Sequence, residues 1–160
     1  MTSAQLGVLF VIDFVVAVAI TAVIGIWAPH WPTRWLARNW GPLAPLPFET
    51  PTFFRRLGVP WLAAHMPEAG ALFGGESKKA LPGTDVEALS SYLVEVRRAE
   101  LVHMGSMLSW LPLIFFNPWW MTVLFALIVA VGVNLPFLLI LRYNNVRLTR
   151  LLARARIQQI

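Results

Sequence analysis

The stretch LGVLFVIDFVVAVAITAVIGIW, Leu6 to Trp27, decides the class of fold. Its one charge is Asp13. As a helix rising 1.5 Å per residue it reaches about 33 Å, enough to cross the hydrocarbon core of a bilayer. MTSAQ before it has no Lys or Arg, the run is long for a signal-peptide core, and no small-residue cleavage site follows. The segment therefore reads as a retained anchor.

The rest of the composition agrees. In 160 residues, 58% are hydrophobic and only 13% charged, against about 25% charged in an ordinary soluble domain. Disorder is excluded by the same apolar excess. The chain has no cysteine, so disulfides, thiolate metal sites and a cysteine acyl-enzyme are excluded. A net charge of +5 with eight Trp fits a membrane protein with positive loops, and nucleic acid is not an expected partner.

Beyond the anchor, WAPHWPTRWLARNW repeats Trp27, Trp31 and Trp35 at every fourth position, as it does Arg34 and Arg38. That spacing predicts a short helix lying at the membrane interface, with a packed turn as the other reading. In the Pro-rich stretch that follows, Thr50-Pro51 marks a helix start and Gly58 its stop, and a second short helix is predicted from Pro60 to Met66. Thr84-Asp85-Val86-Glu87 is a capping box opening a long helix. This helix turns from amphipathic to apolar near Leu101, and Pro112 should kink it. Asn117-Pro118-Trp119-Trp120 reads as a tight interfacial turn before a further apolar run, Met121 to Leu141, and a basic amphipathic tail.

The expected architecture is an all-α integral membrane protein in a single domain, 1–160. It has three transmembrane helices, at about 6–27, 101–116 and 121–141, an interfacial segment 28–100, and a cytoplasmic tail 142–160. Eight Lys and Arg fall in 28–105 and five in the tail, with none in the N-terminal stub or the 117–120 turn. The positive-inside rule then places the N-terminus outside and both basic parts in the cytoplasm.

Polar groups at membrane depth are candidates for chemistry. Glu100 and His103 stand one helical turn apart, on the face shared with Val96, Met107 and Trp110. A carboxylate on an imidazole fixes its tautomer and strengthens it as a base, and such a pair can take a proton from a hydroxyl. The structural alternative pairs Glu100 with Arg97 and leaves His103 at the interface. Glu-x-x-His occurs once, whereas a di-iron bundle uses it twice, so no metal is expected. Asp13 reads as snorkelling or paired, and Asn134 with Pro136 as an interhelical hydrogen bond and a kink. A serine nucleophile elbow, a P-loop and a dinucleotide fingerprint are absent.

EVRRAELVH (Glu95 to His103), IFFN (Ile114 to Asn117), NLP (Asn134 to Pro136) and RYN-x-x-RL (Arg142 to Leu148) occur in this order. Together they resemble the glycosyl-4,4′-diaponeurosporenoate acyltransferase family of carotenoid synthesis, from about 87 to 155. Phe48-Glu49 and Lys78 also look like family positions. The chain departs from the family pattern at Leu141 and Asn145, which flank Arg142-Tyr143-Asn144. It departs again at Met104, where the family has an aromatic, and at Trp61-Leu62, where it has Trp-Lys.

The resemblance implies transfer of a fatty acyl group onto a sugar hydroxyl of a glycosylated carotenoid or similar glycolipid, in a bacterial cell membrane. On this reading His103 is the base and Glu100 orients it. Arg97, Arg98, Arg142 and Arg147 hold an anionic acyl donor or the oxyanion, and Tyr143 and Asn144 donate hydrogen bonds. Glu95, Asn117 and Asn134 complete the substrate-binding set. No cofactor is implied, because an acyl thioester serves as donor substrate. The alternative is a non-catalytic subunit that binds membrane lipid or pigment within a larger membrane complex.

Overall fold

The computed structural model describes residues 2–66, 83 and 85–158. All regular structure among them is helical. Helix α1 runs Ser3–Trp27 and starts on a capping box: Thr2 Oγ1 accepts from Gln5 N–H, and the Gln5 side chain accepts from Thr2 N–H. Helices α2 (Thr33–Leu36), α3 (Pro51–Arg56) and α4 (Val59–His65) are short. Helix α5 runs Val86–Ser106, α6 Trp119–Ala126 and α7 Leu135–Gln158.

The interfacial helix expected around Trp27, Trp31 and Trp35 is not continuous. A 3₁₀ turn, Ala28–His30, and the single turn of α2 take its place. Pro32, which cannot donate to a helix, stands at the break. The chain then folds back, and Trp40 Nε1–H donates to the Trp35 carbonyl. Thr50 caps α3 through Phe53 N–H at 3.1 Å. The chain leaves α3 through Gly58, whose φ of 73° suits a residue without Cβ. Thr84 and Lys78 lie outside the described residues. Asp85 caps α5, accepting from Ala88 N–H at 2.8 Å.

Among the described residues two helices are long and apolar enough to cross a membrane, Ser3–His30 and Trp119–Gln158, rather than the three expected. The expected span 101–116 is not one helix. Helix α5 stops at Ser106, and after a turn Leu111–Phe115 is 3₁₀. Pro112 keeps the α-helix from resuming: it has no N–H for the carbonyl of Leu108, which accepts from Leu111 N–H at 3.0 Å instead.

The third expected span and the basic tail, by contrast, form one helical path. Between α6 and α7 the backbone is π-helical over Leu127–Asn134. Pro136 lies just beyond, in the first turn of α7. Longer-range π bonds are a common way to absorb a proline or an inserted side chain, and here the Asn134 side chain donates to the Val129 carbonyl at 2.8 Å.

The chain forms two compact units. The first comprises the chain up to Trp31 with Arg98–Leu138, the second Pro32–Arg97 with Leu139 onward. In the first, Ala17, Leu113, Met121, Phe125 and Val129 form a core, with Phe10 against Phe125 at 5.0 Å between ring centres. Its outer surface is apolar, including Ile12, Phe14, Ile26, Phe115 and Trp119. In the second, Phe54 of α3 and Val59 of α4 pack on Val146 of α7, with Tyr143 alongside.

Candidate functional site

In the first unit the candidate base, His103, stands on α5. Its Nδ1 lies 2.9 Å from Asn134 Oδ1. The Val129 carbonyl can only accept, so the Asn134 atom facing it is the amide nitrogen. Oδ1 is therefore what His103 meets, and Nδ1 must carry the proton. In the neutral ring the lone pair then sits on Nε2. Phe137 stacks on the imidazole at 5.1 Å and 12°, which fixes the plane of the ring.

Glu100, one turn before His103, is completely buried, and Asn134 nearly so. Arg98, on the same stretch, is half-buried. Asn117, in the turn before α6, donates from Nδ2 to Asp13 Oδ2 of α1 at 2.6 Å. The buried Asp13 is thus paired by an amide from a position distant in sequence. Among the described residues no three His, Asp or Glu side chains converge as a metal site would require.

In the second unit Arg97 and Arg142 are buried and bonded to the chain itself. Arg97 of α5 is the largest fully buried side chain. It donates to the Leu36 carbonyl at 3.0 Å, to Asn145 Oδ1 at 3.2 Å and to Asn39 Oδ1. Arg142 donates to both oxygens of Glu49 at 2.7 Å and to the carbonyls of Pro42 and Ala44 at 2.6 Å. Asn145 donates to the Leu43 carbonyl at 3.1 Å. Three neighbouring carbonyls of an irregular loop are satisfied by α7 in this way, as buried backbone requires.

Glu95 is exposed and Asn144 half-exposed. Arg147 lies over the Tyr143 ring, 5.3 Å from its centre, and Tyr143 packs on Phe54. Glu49, Asn145 and Phe137 were missed as site-forming residues. Glu49 was visible only as part of Phe48-Glu49, and its partner Arg142 is 93 positions away. Asn145 stood out only as a departure from a motif.

The model of the glycosyl-4,4′-diaponeurosporenoate acyltransferase family matches residues 32–154. The chain belongs to this family. No curated protein and no solved structure matched it. The match to this acyltransferase family takes in His103, Asn134, Arg97, Arg142, Glu49 and Arg147 and excludes α1 with Asp13. Family membership supports an acyltransferase-like role in carotenoid biosynthesis, with an acyl donor and a glycosylated carotenoid as acceptor.

Proposed function

We propose that the chain is a membrane enzyme that moves a fatty acyl group from a thioester to a sugar hydroxyl of a glycosylated carotenoid. The observation that carries this is the Val129–Asn134–His103 chain of hydrogen bonds, which leaves Nε2 as the basic nitrogen. Nε2 takes the proton of the sugar hydroxyl as its oxygen bonds to the thioester carbonyl carbon. The C–S bond then breaks, and the imidazolium returns the proton to the departing thiolate. No acyl-enzyme is needed.

Asn134 is the positioning residue at Nδ1, and Glu100 a further positioning residue on the same helix. Arg97 and Arg142 hold the second unit together, their donors directed to groups of the chain itself. Arg98, Glu95, Tyr143 and Asn144 keep a substrate-binding role as part of this proposal, whereas Asn117 is taken up by Asp13 and Arg147 lies over the Tyr143 ring. The two long apolar helices and the apolar outer surface of the first unit support placement in the bacterial cell membrane. The N-terminus faces outward and the arginine-rich parts face the cytoplasm, where thioesters are made.

Lipid mass spectrometry of membranes carrying the wild type, His103→Ala or no protein tests this. An acylated glycocarotenoid found only with the wild type supports the reading. The same product with His103→Ala removes the base from His103. A product independent of the chain overturns the transferase and favours the non-catalytic subunit, which would then be sought in a larger complex.

A further inference from the structure

On α7, Arg147, Arg150 and Arg154 follow at steps of three and four and so share one stripe. All three are exposed, and the opposite side of the helix buries Leu141, Leu148 and Leu152. Arg34 and Arg38 beside α2, and Arg55 and Arg56 on α3, are exposed as well. Among the described residues none of these arginines has a carboxylate partner. Among the described residues the exposed acids of the same unit are Asp85, Glu87 and Glu95. Residues 67–82 add two Glu and two Lys and leave the balance unchanged.

So large an uncompensated charge is repulsive unless an anionic partner neutralises it. Trp35 and Trp40 stand in the same run as Arg34 and Arg38, Leu57 and Trp61 follow Arg55 and Arg56, and all four are exposed. Trp can stack on the bases of RNA, but Arg147, Arg150 and Arg154 continue the helical path that carries the apolar run Met121 to Leu141, which favours a bilayer surface. A bilayer surface offers phosphate at one level and acyl chain just below it.

We propose that the arginine-bearing face of the second unit docks on anionic phospholipid headgroups. The tryptophans and Leu57 enter the headgroup layer, and Arg147, Arg150 and Arg154 contact phosphate.

The full-length protein is reconstituted in vesicles of equimolar phosphatidylcholine and phosphatidylglycerol, then extracted in a mild neutral detergent. Retained lipid is quantified by mass spectrometry. The wild type retains phosphatidylglycerol over phosphatidylcholine by about fivefold. The triple variant Arg147→Gln, Arg150→Gln, Arg154→Gln loses at least half of that preference. The triple Lys variant keeps it, which separates lost charge from lost folding. His103→Ala also keeps it, so failure of the catalytic reading leaves this result standing. Equal retention of the two lipids by the wild type overturns the proposal, as does a Gln variant that behaves like the wild type. Stripping of the phosphatidylglycerol by added RNA overturns it too, and assigns the face to a soluble polyanion.

Discussion

Arg142 grips Glu49 with two parallel hydrogen bonds, Nε to Oε1 and Nη2 to Oε2, each 2.7 Å long, and both side chains are buried. An exposed pair of this kind contributes little. A buried one is different, because removing either partner strands the other charge away from water. Glu49→Ala and Arg142→Ala are each expected to destabilise the chain by about 3–5 kcal/mol. The double change Glu49→Leu with Arg142→Met should cost clearly less than the sum. Arg142→Lys should also destabilise, since an ammonium cannot reach both oxygens and the two loop carbonyls at once. Thermal denaturation in detergent reads all four. Additive losses would show that the pair is not coupled.

Asn134 is expected to act on turnover more than on stability. Asn134→Leu keeps the volume and removes both the Nδ1 acceptor and the donor to Val129. It should lower kcat about 10- to 100-fold with little change in KM, the usual effect of losing a partner that orients a catalytic ring. His103→Ala should fall further, by about 10²–10⁴. A variant at Asn134 that changes KM alone would assign the residue to substrate binding instead.

The contrast between Glu49 and Asn134 shows what the sequence could disclose. The all-helical class, the long apolar first helix and the α3 cap were legible because each depends on neighbours within a turn or two. Asn134 and His103 were legible as polar groups in apolar surroundings, which are rare enough to flag. Their partnership was not, since it joins two helices 31 positions apart. The roles of Arg97 and Arg142 were obscured for the same reason. Arginines beside motif residues suggest anion binding, and only the folded chain shows them turned onto Leu36, Pro42 and Ala44. The missing span had a local cause in Pro112, read as a kink where it keeps the α-helix from resuming.

Asp13 and Asn117 invite a separate test. Asp13 lies outside the matched stretch 32–154, and its bond to Asn117 joins α1 to the turn before α6. A packing role predicts that Asp13→Asn leaves acyl transfer within about twofold. Asn117→Leu strands a polar group in an apolar interior, with an expected cost of about 1–3 kcal/mol. Loss of transfer in a well-folded Asp13→Asn variant would place Asp13 in the reaction.

The stretch from Arg98 to Asn117 is not one long helix, and its topology can be tested. In the first unit Asn117 meets Asp13, and a Cβ built on Gly105 would lie 3.5 Å from Ile24. The two contacts set this stretch antiparallel to α1. Arg98 to Ser106 as α-helix rises about 12 Å. Gly105 to Asn117 runs alongside α1 from Ile24 to Asp13, which rises about 16 Å, so the whole stretch covers about 27 Å, a little less than a bilayer core of about 30 Å. The chain has no native cysteine, so single cysteines can be placed at Ala4, His30 and Trp119. A membrane-impermeant maleimide should label Ala4→Cys and Trp119→Cys on intact cells, and His30→Cys only after permeabilisation. Labelling of His30→Cys and Trp119→Cys from the same side would show that the stretch turns back within the membrane.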